Sequence, residues 1–154
     1  MDNQKLVVDY IQGGKELYSR VFPMRKKLLA FHANLPHGFQ QDFRTKLKEM
    51  NENWQENEGR EPVIFLAVQN GQDCGYILGV VQSECGFVHS IYIEPETRRS
   101  GIGYELMDRL LTWFGKQGLT QVELDVCQGN EDVFEFYGHF GFLPRKTRLI
   151  KKIK

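Results

Sequence analysis

The apolar positions along the chain predict an alternation of strands and helices. Short continuous or alternating apolar runs favour β-strands at about residues 5–11, 63–68, 75–81, 87–93 and 121–126. Apolar residues spaced three and four apart favour helices at 15–33, from Phe39 to Trp54, and at about 103–117. A helix at 130–140 and a final pair of strands between Phe142 and Ile153 complete the order. This order predicts one α/β domain with a mixed sheet over residues 1–154.

Turn and breaker residues separate the predicted elements. Asn70-Gly71 lies between two apolar runs, which is a strong hairpin signal. A second turn at about 83–86 would join the next strand, so that three strands form an antiparallel meander. Pro23 predicts an interruption or a kink in the first helix, because proline lacks the amide hydrogen of an interior turn. Gly118 predicts the end of the helix that begins near residue 103.

Composition and charge exclude several classes of protein. The chain has 20 basic and 20 acidic residues, whereas a nucleic-acid-binding surface normally needs a basic excess. Its longest apolar run, residues 63–68, is far too short to span a membrane, and its N-terminus lacks the pattern of a secretory signal. Three cysteines without metal-ligand spacing predict free thiols in a reducing compartment and no metal site. We therefore expect a soluble, cytoplasmic protein.

The junction between the strand at 87–93 and the next helix is the most informative segment. Residues 98–103 read Arg-Arg-Ser-Gly-Ile-Gly at the start of that helix. Glycine lets the backbone approach a ligand, and the free amides and the dipole of a helix start attract anions. Arg98 and Arg99 add positive charge, so the segment predicts a polyphosphate site, although a tight turn with solvated arginines is the alternative. The spacing fits neither a Walker loop nor a dinucleotide fingerprint, which would need glycine at Leu106.

Two motifs together resemble the GCN5-related N-acetyltransferase (GNAT) superfamily. The first is Arg-x-x-Gly-x-Gly after a strand that ends Ile-Glu-Pro, which is similar to the family's pyrophosphate loop. The second is Asn130 after the fifth strand, Tyr137 seven residues later, and then Gly141-Phe142. The resemblance covers Val63 to about Leu149. It implies a mixed sheet of six to seven strands with about four flanking helices, in which the fourth and fifth strands splay apart.

The resemblance also implies that the ligand is acetyl-CoA, used as a cosubstrate without a metal. Its pantetheine arm would pair with the strand before the loop, and its pyrophosphate would lie on the loop and the helix start. The residues implied in cofactor binding are Ile91, Tyr92, Ile93, Arg98, Arg99, Ser100, Gly101, Ile102, Gly103, Tyr104, Asn130 and Tyr137. Asn130 could instead cap the following helix, since acidic residues come directly after it.

Tyr137 is the implied general acid, and its alternative role is a core aromatic among the neighbouring phenylalanines. The general base is less defined, because the family's usual glutamate falls at Phe87. His89, two residues on and on the same strand face, has a suitable ordinary pKa. Asp125 stands where ribosomal-protein N-terminal acetyltransferases carry a glutamate, and we favour it slightly over His89. A water chain is the third alternative, whereas covalent transfer through Cys127 would need an activated thiolate.

The resemblance therefore implies direct acetyl transfer to the primary amine of a small molecule. The acceptor would enter beside the aromatic and histidine residues between Phe31 and Phe39. Protein N-terminal acetylation is the alternative that the position of Asp125 suggests. A non-catalytic acyl-CoA-binding module is a further alternative, suggested by the missing acid at Phe87. We expect no nucleic-acid or membrane partner, and either a monomer or a homodimer.

Overall fold

The computed structural model describes residues 7–50 and 60–153, which form a five-stranded mixed sheet and four α-helices. The strands are β1 (Val8–Gly13), β2 (Val63–Gln69), β3 (Gln72–Gln82), β4 (Cys85–Ile93) and β5 (Val122–Leu124), in that spatial order. The first four pair antiparallel, and β5 pairs parallel to β4. Two-residue turns at 70–71 and 83–84 join the meander, and all four turn residues have positive φ. The predicted meander is therefore confirmed.

The helices cover both faces of the sheet. They are α1 (Tyr18–Ala33), α2 (Gln40–Glu49), α3 (Ile102–Lys116) and α4 (Phe134–Gly138), and single 3-10 turns occupy Lys15–Leu17, Pro95–Thr97 and Glu131–Val133. On one face α1 packs Val21 and Met24 against a layer that includes Tyr76. On the other face α3 buries Leu106 and Phe114 against a layer that includes Ile77. The apolar stripe of α3 thus lies on the sheet, as its spacing predicts.

Several predicted elements differ from the structure. The helix α1 continues through Pro23 without interruption, and the helix predicted at 130–140 is a 3-10 turn followed by the short α4. The sheet has five strands among the described residues rather than six to seven. Trp54, at the predicted end of the second helix, and residues 5–6 of the first strand lie outside the described residues.

The strands that are missing from the predicted sheet are the final pair, predicted between Phe142 and Ile153. Residues 142–153 have no regular secondary structure, and Leu143 and Leu149 are 85% and 91% exposed. Pro144 cannot donate to a β-ladder, and closely spaced basic residues break the alternation that would give the segment one apolar face. The segment instead contacts α2 through an ion pair between Lys152 and Asp42.

Strands β4 and β5 form a fork. They pair at three positions, of which Val88 with Leu124 is the last, whereas β4 continues to Ile93. On its other side, β4 carries an irregularity, because Ser90 pairs with Leu78 and Val88 pairs with Gly79. His89 is therefore the extra residue of a β-bulge. This bulge lies where β4 leaves β5.

Candidate functional site

The loop between β4 and α3 presents free backbone amides to solvent. Gly101 is the N-terminal cap residue of α3 with φ +86°, and no side chain caps this helix end. The first hydrogen bond of the helix runs from the Glu105 N–H to the Gly101 carbonyl at 3.0 Å, so the amides of residues 102–104 lack an intrahelical acceptor. A Cβ built on Gly101 meets no atom within 4 Å, so space for a ligand lies above it. The geometry is that of an anion site at a helix start.

Hydrogen bonds within the loop fix its shape. The Arg98 Nε–H donates to the Ile93 carbonyl at 2.9 Å, and the guanidinium lies 5.7 Å from the centre of the Tyr92 ring. The Ser100 hydroxyl donates to the Thr97 carbonyl. Arg99 is exposed and adopts φ +65°, a conformation that costs energy for a residue with a Cβ. The loop thus places both arginines beside the start of α3.

Helix α4 lies against the start of α3 and the end of β4. A Cβ on Gly103 would lie 3.5 Å from a Phe136 ring carbon and 3.9 Å from Ile93, which is ordinary van der Waals contact. The Tyr104 ring centre is 5.1 Å from that of Phe136 and 5.5 Å from that of Phe140. These contacts bring Tyr137, on the same short helix, close to the loop.

The Tyr137 side chain packs in this aromatic cluster and keeps its proton. Its ring centre lies 5.4 Å from Phe136 and 6.0 Å from Phe142. Burial raises the pKa of the Tyr137 phenol above its ordinary value, so the phenol is neutral at physiological pH. No hydrogen bond joins its hydroxyl to another described side chain. The packing role and a role as proton donor are therefore compatible.

Asn130 occupies the cap position of the turn that precedes α4, but its side chain makes no capping hydrogen bond. Glu131 takes part of that role, since its carboxylate accepts the Gly129 N–H at 3.0 Å. This bond, together with one from its own amide, lowers the pKa of the Glu131 carboxyl. The Asn130 amide is thus not used as a cap in this structure.

The two candidate bases lie on opposite sides of the fork. His89 and Asp125 directly follow Val88 and Leu124, the last paired residues of β4 and β5. Asp125 is exposed, so this carboxylate lies in solvent rather than desolvated between the two strands. His89 is half-buried, and it lies with Tyr18, Val21, Phe22, Arg25, Met50, Leu78 and Ser90 around a small pocket between α1 and the sheet.

A buried hydroxyl pair lies beside His89. The Tyr76 O–H donates to the Ser90 Oγ at 2.9 Å, and the His89 Nδ1 lies 3.4 Å from the same oxygen. Ser90 is only 7% exposed. Nothing in the sequence indicated Tyr76 and Ser90, because they meet only through the pairing of β3 with β4 and carry no motif.

The histidines of the proposed acceptor region have a structural role at least in part. The His37 Nδ1 accepts the Phe39 N–H at 3.0 Å, so its Nε2 carries the proton and donates to the His32 carbonyl at 2.7 Å. A Cβ on Gly129 would lie 3.1 Å from Pro36 and 3.2 Å from Leu35. The turn between α1 and α2 therefore touches the loop between β5 and α4.

Other chemistry is not favoured by the environments of the candidate groups. Burial raises the pKa of the Cys127 thiol, which keeps it protonated and poorly nucleophilic. Phe87 is a half-buried part of the core beneath α1. Within residues 7–50 and 60–153, no group of three or more His, Cys, Asp or Glu side chains could hold a metal ion. In the same ranges, no helix combines the length and the apolar character needed to cross a membrane.

Comparisons with known proteins agree with this geometry. An uncharacterized N-acetyltransferase of Methanocaldococcus jannaschii is 32% identical over 98 residues, which are 60% of this chain and 42% of that protein. The ribosomal protein bS18 alanine N-acetyltransferase of Escherichia coli is 26% identical over 56% of this chain and 58% of its own length. The chain thus spans about half the length of these curated relatives.

A solved structure and a family profile extend the comparison. An aminoglycoside N-acetyltransferase in complex with coenzyme A has the same fold, with a TM-score of 0.67 at 18% identity over 100% of this chain and 99% of that one. The profile described as the acetyltransferase (GNAT) family matches residues 28–142, which include the loop, the fork and Tyr137. On this match the chain belongs to the GNAT acetyltransferase family.

Proposed function

We propose that this protein transfers the acetyl group of acetyl-CoA directly to the primary amine of a small molecule. The observation that carries the proposal is the fork between β4 and β5, which opens beside the uncapped start of α3. An extended amide-bearing ligand can pair with a strand edge that has lost its neighbour, and a pyrophosphate fits a helix start. One ligand that has both parts in this order is coenzyme A.

The cofactor would lie along β4 and then across the loop. Its pantetheine amides pair with the backbone of Ile91–Ile93, on the side from which β5 has diverged. Its pyrophosphate oxygens accept hydrogen bonds from the free backbone amides of residues 102–104. Arg98 and Arg99 add positive charge beside them. The Asn130 amide, which caps no helix here, contacts the same ligand. The thioester then lies at the fork, near the bulge at His89.

The reaction is an acyl transfer with two proton movements. The amine nitrogen attacks the thioester carbonyl carbon, and the C–S bond breaks as the amide bond forms. Tyr137 gives its phenolic proton to the departing thiolate, a role that its raised pKa supports. The amine loses a proton to a base at the fork. We take His89 as this base, because it is half-buried at the bulge, and keep exposed Asp125 as the alternative.

Three further observations bear on the acceptor and on turnover. The identity to the ribosomal protein bS18 alanine N-acetyltransferase, together with the position of Asp125, supports a protein N-terminal amine. Within the proposed class of small amines, the fold shared with an aminoglycoside N-acetyltransferase favours an aminoglycoside. Phe87, which cannot accept a proton, supports a binding module without turnover.

A thiol-release assay separates these functions. The purified protein and acetyl-CoA are incubated with an aminoglycoside, a polyamine, a free amino acid, and a peptide that begins with alanine. Release that requires a small amine supports the proposal, whereas release only with the peptide supports N-terminal acetylation. Calorimetric binding of coenzyme A without release for any acceptor would contradict an enzymatic role.

A further inference from the structure

Glu94 is a tightly held acidic residue that the proposed function leaves unexplained. It follows the last residue of β4, and its side chain is 17% exposed. Its backbone N–H donates to the Cys74 carbonyl at 2.8 Å, and its carbonyl accepts the Thr97 N–H and hydroxyl, each at 3.0 Å. Its carboxylate accepts Lys27 Nζ–H at 2.7 Å and the Tyr92 O–H at 3.3 Å. Every polar part of Glu94 is thus engaged.

The position of this carboxylate raises an electrostatic problem. Glu94 begins the segment that leads to Arg98, and a carboxylate here repels the pyrophosphate that the loop is proposed to bind. Lys27 supplies the opposite charge from α1, and its bond to Glu94 raises the pKa of the Lys27 ammonium, which keeps it charged. Tyr92 links Glu94 to the loop, since its hydroxyl contacts Glu94 and its ring centre lies 5.7 Å from the Arg98 guanidinium.

We propose that Lys27 compensates the charge of Glu94 beside the pyrophosphate loop. The ion pair joins α1 to the end of β4, and in it Lys27 cancels the negative charge that would otherwise weaken binding of the cofactor. This inference rests on the proposed function, because coenzyme A supplies the pyrophosphate. It assigns no contact with the reacting atoms to either residue.

Substitution of the lysine alone should weaken cofactor binding. In Lys27→Met the Glu94 carboxylate is left without its partner, so the Kd for coenzyme A should rise about threefold to tenfold, and more at low ionic strength. Adding Glu94→Gln to that variant removes the uncompensated charge and should return the Kd to within about twofold of wild type. Calorimetry at two salt concentrations measures both effects.

Two variants control for structural damage. Lys26→Met removes the neighbouring lysine, which lies over Phe22 rather than Glu94, and should leave the Kd unchanged. Lys27→Arg keeps the charge and should do the same, while thermal unfolding reports whether each variant is folded. An unchanged Kd in folded Lys27→Met would overturn the proposal. A double variant as weak as Lys27→Met would also overturn it, because a purely mechanical tie is not restored by removing its second half.

Titration of the wild-type protein with inorganic pyrophosphate separates this inference from the proposed function. If wild type binds pyrophosphate but not coenzyme A, the cofactor assignment fails, and the same variants are then compared with pyrophosphate. If wild type binds neither ligand, both proposals are overturned.

Discussion

In the proposed mechanism, Tyr137 serves both in packing and as the proton donor. Its ring lies among Phe136 and Phe142, and that burial is what raises the pKa of its phenol. A phenol that keeps its proton is a poor base but a suitable donor to a thiolate. Sequence position indicated the residue, whereas its environment explains why a core aromatic could act as an acid.

Tyr137→Phe should preserve the packing and remove the donor. We expect turnover to fall on the order of 10²-fold, with the Kd for coenzyme A nearly unchanged. Steady-state kinetics and calorimetry on the same preparation measure the two quantities. Wild-type turnover in the variant would mean that Tyr137 only packs and that water protonates the thiolate.

The candidate bases make opposite predictions in the pH–rate profile. If His89 is the base, His89→Gln should lower turnover about 10²-fold and remove the acidic limb, whereas Asp125→Asn should have little effect. The reverse result would assign the role to Asp125. If neither substitution changes the profile, the amine loses its proton to a water chain or binds already deprotonated.

Among the elements of the fold, the loop and the start of α3 are where we propose that the cofactor's pyrophosphate binds. Two substitutions at Gly103 test this placement as a matched pair, because a Cβ there meets Phe136 and Ile93 only at ordinary contact distances. Gly103→Ala should therefore leave the Kd for coenzyme A within about threefold of wild type. Gly103→Glu adds a long anionic side chain beside the first-turn amides and should weaken binding more than about tenfold.

Calorimetry measures both Gly103 variants, and circular dichroism checks that they are folded. Equal and unchanged affinity in the two variants would contradict the placement of the pyrophosphate. Equal and large loss would instead indicate damage to the packing of α4 on α3, because the alanine adds no charge.

Elements with strong local signals were predictable from sequence. The β2–β3 hairpin and helix α3 formed where Asn70-Gly71 and the apolar stripe predicted them. The strand pair predicted in residues 142–153 did not form. Leu149 and Ile150 are adjacent and flanked by basic residues, so no single face of a strand could be buried. Pro23 does not interrupt α1, since the packing of Val21 and Met24 holds the helix continuous across it.

The site depends more strongly on tertiary contacts. The candidate anion loop could be recognised because the residues that define it are consecutive. The bulge at His89 could not, since it appears only in the pairing of β3 with β4. The ion pair between Lys27 and Glu94 joins residues 67 positions apart, and Lys27 belongs to no motif.

At the scale of the whole molecule, Phe114 fixes α3 on the sheet. Its ring is 1% exposed and lies where Cβ atoms on Gly79 and Gly86 would approach within 2.8 Å. These two glycines, on neighbouring strands, therefore form the cradle that lets α3 pack closely. Because α3 begins at the loop, this packing also fixes where the proposed anion site lies relative to β4.

Gly79→Ala should destabilise the protein by about 1–3 kcal/mol, because the added methyl group overpacks against Phe114 and Leu110. Gly115→Ala is the matched control, since it lies in α3 with no atom within 4 Å of its Cβ. Alanine favours a helix, so this variant should be more stable by about 0.5–1 kcal/mol. Urea unfolding measures both, and a Gly79 variant as stable as wild type would contradict the cradle.

The most direct test of acetyl transfer follows an isotopically labelled acetyl group from acetyl-CoA to the molecule that receives it. The purified protein is incubated with the labelled thioester and the amine that gives the fastest thiol release, and mass spectrometry locates the label. Direct transfer predicts the label in an amide on the acceptor, one thiol released per label, and no label on Cys127. Bound coenzyme with no label on any amine, or label retained on a cysteine, would contradict direct acetyl transfer.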